Sequence, residues 1–257
     1  MSPREQFIAF MTILRKEIRR FLRIWPQTLL PSAITMSLYF VIFGSLIGSR
    51  IGEMGGFTYM QFVVPGLVMM AIVTNSYSNV VSSFFGSKFN HSVEELLVSP
   101  VPNYVILMGY VLGGVTRGLL VAIVVTVVSL FFTRLNIHSY TVVILIVLMT
   151  STLFALAGFI NAVFANSFDD ISIIPTFVLT PLIYLGGVFY SMDLLPDFWA
   201  GVSKLNPLVY VVNAFRYGVL GVSDVSLPFA FGMIGLFTAI AFVYSMHLLN
   251  TGKRLRQ

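Results

Sequence analysis

Six runs of apolar residues divide this chain, each close to the ~20 residues that a helix needs to cross the hydrocarbon of a bilayer. They cover residues 29–48, 57–85, 105–132, 140–165, 171–189 and 227–249. Hydrophobic residues make up 57% of the 257 and charged residues only 10%, against about 25% charged in an ordinary soluble domain. No soluble core of this size encloses so much apolar surface. The expected fold is therefore an all-α membrane protein with six transmembrane helices, each satisfying its own backbone hydrogen bonds.

The basic residues set the orientation. Arg4, Arg15, Lys16, Arg19, Arg20 and Arg23 precede the first span, and Lys253, Arg254 and Arg256 follow the last. The loops on the other side carry only Arg50, Arg134, Lys204 and Arg216. Excess Lys and Arg stay in the cytoplasm, so both termini are expected there. The net charge of +5 is thus a topology signal and not the footprint of a nucleic acid. No leader with a small-residue cleavage site opens the chain. No linker divides it, which leaves one domain over 1–257. Cysteine is absent, which excludes disulfides, thiolate metal sites and a thiol nucleophile.

Within that frame, residues 4–25 read as an amphipathic helix at the membrane surface. Phe7, Met11, Leu14, Ile18, Phe21 and Trp25 recur in steps of four and three, with most of the cations opposite. A basic, aromatic-striped helix suits anionic headgroups of membrane lipids; a partner-binding helix is the alternative. Pro26 and Pro31 then turn the chain into the bilayer.

The second span carries Pro65 and a polar run, Thr74, Asn75, Ser76, Ser78, Asn79, Ser82 and Ser83. Lipid does not solvate such groups, so they face neighbouring helices or a water-filled path. The third span holds Gly109, Gly113, Gly114 and Gly118 at spacings that let backbones approach. It also holds Arg117, about 13 residues past Tyr104 and so roughly 20 Å along the helix. A charge at that depth faces inward, either as part of a translocation path or as a structural group met by carbonyls and by Asn75 or Asn79.

Two connections fall on the cytoplasmic side. In residues 86–103, Ser92 and Glu95 have the spacing of a capping box, and Pro100 ends the run. The expectation is a short helix presenting Glu94, Glu95, Leu96 and Leu97. His91 and Glu94 are too few for a metal site, and none is expected. The second connection contains Asp169 and Asp170, which suit either docking to a partner or plain turn chemistry.

The stretch from Thr180 to Gly221 breaks its apolar pattern at Gly186 and Gly187, then carries Pro196, Trp199, Asn206, Pro207 and Arg216. Broken helices survive at membrane depth only where protein buries them or a cavity meets them. Residues 190–222 are therefore expected to dip back into the outer face as short re-entrant helices. Asn206 suits a cap and Pro207 the first turn.

These residues resemble a known family. Pro181-Leu-x-Tyr-Leu-Gly-Gly-Val-Phe-Tyr190, Leu195-Pro-x-x-Trp199, Leu205-Asn-Pro-x-x-Tyr210 and Phe215-Arg-Tyr217 are similar to the signature of type-2 ATP-binding-cassette (ABC) export permeases. Glu94-Glu-Leu-Leu-x-Ser-Pro100 resembles that family's coupling helix. Arg23-Ile-Trp, Gly48-Ser-Arg-Ile-Gly and Phe168-Asp-Asp-Ile-Ser resemble stretches of a small bacterial member. The resemblance implies a homodimer in the bacterial inner membrane with two separate ATPase subunits. Those subunits would grip Ser92, Glu94, Glu95, Leu96 and Leu97, with Asp169 and Asp170 nearby. It implies an outer gate around Gly186, Gly187, Phe189, Pro196, Trp199, Asn206, Pro207 and Arg216. Arg117 is no hallmark of the family.

The chain has no Gly-x-x-x-x-Gly-Lys-Ser/Thr loop. It binds no cofactor of its own, and ATP with magnesium belongs to the partner ATPase. Other classes fit less well. A lipid-modifying membrane enzyme needs clustered acids and histidines, whereas His91, His138 and His247 are scattered. A secondary transporter needs intramembrane acids, and a channel needs a filter.

Overall fold

The computed structural model describes residues 1–252; Lys253, Arg254 and Arg256 of the basic tail lie outside the described residues. Helix α1 (Pro3–Arg23) opens with a capping box between Ser2 and Glu5 and stops at Ile24. Two proline-started helices follow, α2 (Trp25–Thr28) and α3 (Leu30–Phe40). A π-helical segment, Val41–Ile47, continues α3 into α4 (Gly48–Ile51).

Strands β1 (Glu53–Met54) and β2 (Phe57–Thr58) then form an antiparallel hairpin. Its turn residues Gly55 and Gly56 both have positive φ, the backbone that a tight hairpin turn demands. The rest of the described chain is helices and their connections, consistent with an all-α membrane protein. The long helices come next: α5 (Tyr59–Phe89), short α6 (Ser92–Val98), α7 (Asn103–Ser129) and α8 (Tyr140–Phe164). Helix α9 (Asp170–Ile174), a π segment Pro175–Leu179 and α10 (Thr180–Tyr184) make one broken rod. Helices α11 (Asp197–Ser203), α12 (Pro207–Leu220) and α13 (Leu227–Thr251) complete the chain.

Among the described residues, five stretches are long and apolar enough to cross a membrane: Trp25–Gly44, Tyr59–Phe89, Asn103–Ser129, Tyr140–Phe164 and Leu227–Thr251. The fifth expected span, 171–189, is shorter. Its rod, Asp170–Tyr184, is about 22 Å long against ~30 Å of hydrocarbon. Helical structure stops at Tyr184 because Gly187 takes a positive φ of 74°.

Helix α5 is the axis of the bundle, with residues 62–69 almost wholly enclosed. The glycines of α7 explain how the layers close. A Cβ on Gly109 would lie 2.5 Å from Ile13, and one on Gly113 would lie 2.6 Å from Glu17 Cβ, so this pair seats α1. Gly114 and Gly118 face the other way, against Val80, Ser76, Ala155 and Ser151 of α5 and α8.

Helix α1 buries Ile13, Glu17 and Phe21. Of the expected apolar stripe, Phe21 is buried, Met11, Leu14 and Ile18 are half-buried, and Phe7 and Trp25 are exposed. Helix α1 thus has two apolar faces, one on the bundle and one outward. Periodicity alone does not rank them.

Candidate functional site

The polar residues of α5 separate into two files. Asn75, Ser76, Asn79 and Ser83 are buried, whereas Thr74 and Ser82 are exposed and Ser78 is half-buried. The buried file binds its neighbours. Asn75 Nδ2 donates to Ser32 Oγ at 2.9 Å, and Arg20 Nη2 donates to both Asn79 Oδ1 and its carbonyl at 2.9 Å. Ser83 Oγ donates to Glu17 Oε1 at 2.7 Å. Glu17 is fully enclosed, within 3.4 Å of both Lys16 Nζ and Arg20 Nε.

Sequence reasoning missed Glu17 and Arg20. The signal was present, since Glu17 is the sole acid between Glu5 and Glu53 and stands four residues from both Ile13 and Phe21.

Arg117 lies on the same side. Its Nη2 donates to Asn75 Oδ1 at 2.9 Å and to the Thr28 carbonyl at 3.3 Å, so α7 ties α2 to α5. Arg117→Leu is expected to lose about 2 kcal/mol, the scale of hydrogen bonds to a charged group, and to lower the melting temperature of the purified protein. A side chain facing lipid predicts an unchanged or higher melting temperature.

Exposed Thr74 and Ser82 and half-buried Ser78, four residues apart, share one face of α5. On one side, Asn75, Asn79 and Ser83 hold α3 and α1. On the other, Tyr77 meets Ile174, Val178, Leu179 and Leu182 of the 170–184 rod along an apolar cavity of about 350 Å³. Thr74 and Ser82 donate to the carbonyls of Met70 and Ser78 at 2.9 and 2.7 Å, which leaves their oxygens free to accept.

At one end of the bundle, α1 and the two connections come together. Lys16 donates to Tyr110, and Tyr110 to Ser87, at 3.2 and 3.0 Å. Helix α6 forms as expected and stops before Pro100, but not through a capping box. His91 sits at its cap in the left-handed region, φ 57°, with no side-chain cap bond. Ser92 lies inside the helix and donates to the Ser87 carbonyl at 3.0 Å. Val93 is buried, and Leu96 and Leu97 pack on the core. Leu96 and Leu97 are half-buried, as is Glu94, while Glu95 and Val98 are exposed.

In the second connection, Asp170 accepts from the backbone N–H groups of Asn166 and Ser167 at 2.8 and 3.2 Å. Those bonds, the Asn166 one foremost, hold its carboxyl below the ordinary range. The depressed value means this support is present at neutral pH and lost as pH falls through the lowered value. Turn chemistry therefore accounts for Asp170, while Asp169 stays exposed.

At the opposite end, Arg216 gathers the segment. It is 1% exposed, so it is not the loop charge expected from the sequence. Its Nη2 donates to the Gly187 carbonyl at 2.6 Å, its guanidinium lies 3.9 Å from the centre of the Phe62 ring, and Nη1 is 4.0 Å from Asp224.

Asn206 caps α12 as expected, accepting from Leu208 N–H at 2.9 Å with Pro207 in the first turn. Its amide reaches back to the Leu182 carbonyl at 2.7 Å. Gly186 abuts Leu208, and Val188 sits against Gly66, where a Cβ would lie 2.6 Å from the Val188 carbonyl. Phe189 packs on Phe43, with centroids 4.7 Å apart, and its carbonyl accepts from Tyr59 at 3.1 Å. Pro196 precedes α11 and is exposed, as are Phe198 and Trp199. Of the expected gate residues, Pro196 and Trp199 are thus the exposed ones.

Comparison with known proteins bears on this architecture. The family model described as ABC-2 type transporter matches residues 8–220. Inner membrane transport permease YadH of Escherichia coli (strain K12) is 58% identical over 250 residues, 97% of this chain and 98% of that protein. Nodulation protein J of Neorhizobium galegae is 23% identical over 253 residues, 97% and 95% of the two chains. This chain therefore belongs to the ABC-2 type transporter family, and is a membrane permease subunit of such a transporter.

Proposed function

We propose that two copies of this permease close over the face of α5 that carries Thr74, Ser78 and Ser82, and that the enclosed path carries cargo outward. Two separate ATPase subunits, which bind ATP and magnesium, would drive it from the end that holds α6 and residues 166–170. In this reading both termini are cytoplasmic, the membrane is a bacterial inner membrane, and the 170–184 rod is a sixth, short span. Residues 190–222 then form the re-entrant outer segment, joined to the spans through Arg216 and Asn206.

The observation that carries the reading is the open file Thr74, Ser78 and Ser82 in a span otherwise enclosed. A polar strip left facing hydrocarbon is unfavourable, so a water path or a second copy must cover it. The flanking rod supports the same closure: Ile173, Phe177, Val178 and Tyr184 are exposed, as a face awaiting a second copy would be. The name of the Escherichia coli relative supports the inner-membrane location.

Because the chain has no cysteine, single cysteines at Thr74, Ser78 and Ser82 test this in the assembled complex. A water-soluble maleimide is expected to label all three during ATP turnover. Labelling by lipid-soluble reagents alone, in every nucleotide state, would contradict a path there.

A further inference from the structure

The fit between the two connections contains one buried cation that neither topology nor turn chemistry requires. Lys88 ends α5 and is 3% exposed. Its Nζ donates to the carbonyls of Val163 and Ala165 at 2.9 and 2.7 Å. These are carbonyls at the end of α8, which the helix itself leaves without partners, and a cation is favoured there by the helix dipole.

Three further contacts bind the same region. Phe85 and Phe89 of α5 each lie 5.0 Å from the ring of Phe168. Asn161 of α8 donates to the Ile171 carbonyl at 3.2 Å. Ser92 of α6 donates back to Ser87 of α5. Helix α6 is thus fixed to the end of α5, the end of α5 to the end of α8, and both to the start of the 170–184 rod.

We propose that Lys88 is a positioning residue for coupling: it makes α6 and residues 166–174 one rigid unit, so that a push on α6 moves α8 and the 170–184 rod together. Carbonyl acceptors suit this role. They do not themselves titrate, although Lys88 also acts electrostatically on Asp170 of the same connection. Lysine also reaches both oxygens with a single ammonium. The proposal rests on the reading that an ATPase acts on α6.

The test places spin labels at Val98→Cys and Ser172→Cys in the permease bound to its ATPase and measures their separation, nucleotide-free and trapped with Mg·ATP and orthovanadate. The expected separation is the same in both states for the wild-type background. With Lys88→Met it becomes state-dependent while the ATPase still binds, and Lys88→Arg restores the fixed separation. Should Lys88→Met fail to fold, Lys88→Gln, which keeps a donor but loses charge and reach, takes its place. A separation that shifts with nucleotide in the wild-type background, or one that stays fixed without Lys88, would overturn the proposal. Failure of any ATPase to bind the wild-type chain would overturn the underlying reading instead, and the proposal with it.

Discussion

Arg216→Leu is expected to lower stability by about 2–3 kcal/mol, the scale of a lost hydrogen bond from a charged donor, and to loosen residues 186–189 from the bundle. The side chain is enclosed and makes three different contacts: the Gly187 carbonyl, the Phe62 ring and Asp224. Leucine supplies none of the polar ones, and it leaves the Gly187 carbonyl unpaired in a segment whose glycine already interrupts the helix.

Asp224 is held independently. It accepts from Met192 N–H at 2.8 Å, and its own N–H donates to Asn213 at 3.0 Å. The loss should therefore fall on residues 186–189, and hydrogen exchange there reads it directly. Arg216→Lys should recover only part, because an ammonium does not stack its plane on Phe62 while reaching Gly187. Full stability and unchanged exchange in Arg216→Leu would show that the segment is held by its apolar contacts alone.

The second large effect is on assembly. Glu94→Lys with Glu95→Lys is expected to leave the spans folded, since α6 is seated by Val93, Leu96 and Leu97. The fold loses the dipole preference for acids in a first turn, about 0.5 kcal/mol each, and the exposed His91–Glu94 contact at 3.4 Å. Binding of the ATPase should fall roughly a hundredfold, because reversing charge at a docking site costs several kcal/mol. Affinity for the ATPase and the melting temperature, measured on one preparation, separate the two effects. Equal loss of both would mean the acids matter to the fold, and no loss of affinity would move the docking surface elsewhere.

How much of this was legible in the sequence depends on how far each signal reaches. Apolar length placed four helices within a few residues, because a span's boundaries are fixed by solvation and not by packing. Asn206-Pro207 read correctly for the same kind of reason, since capping is local chemistry. What failed was long-range.

The capping box at Ser92 lost to a left-handed His91, which the turn from α5 imposes. Arg216 counted as a loop charge because nothing local marks the Gly187 carbonyl 29 residues earlier as its partner. Glu17 went unnoticed because its partner Ser83 is 66 residues away. The glycines of α7 gave the opposite lesson: spacings weak in isolation proved to be the seats of α1 on one face and of α5 and α8 on the other. The π segments in the first span and in the 170–184 rod had no sequence signal that we read, although such segments recur at functional sites.

The central claim is that this 28.5 kDa chain works as a pair driven by a separate ATPase. Native mass measurement of the permease, purified in mild detergent with whatever ATPase accompanies it, tests that most directly. The account predicts two permease copies with two ATPase subunits, hydrolysing Mg·ATP, and loss of the ATPase when Glu94 and Glu95 are replaced by lysine. A single permease copy with no ATPase bound, from membranes in which the chain is correctly inserted, would contradict it.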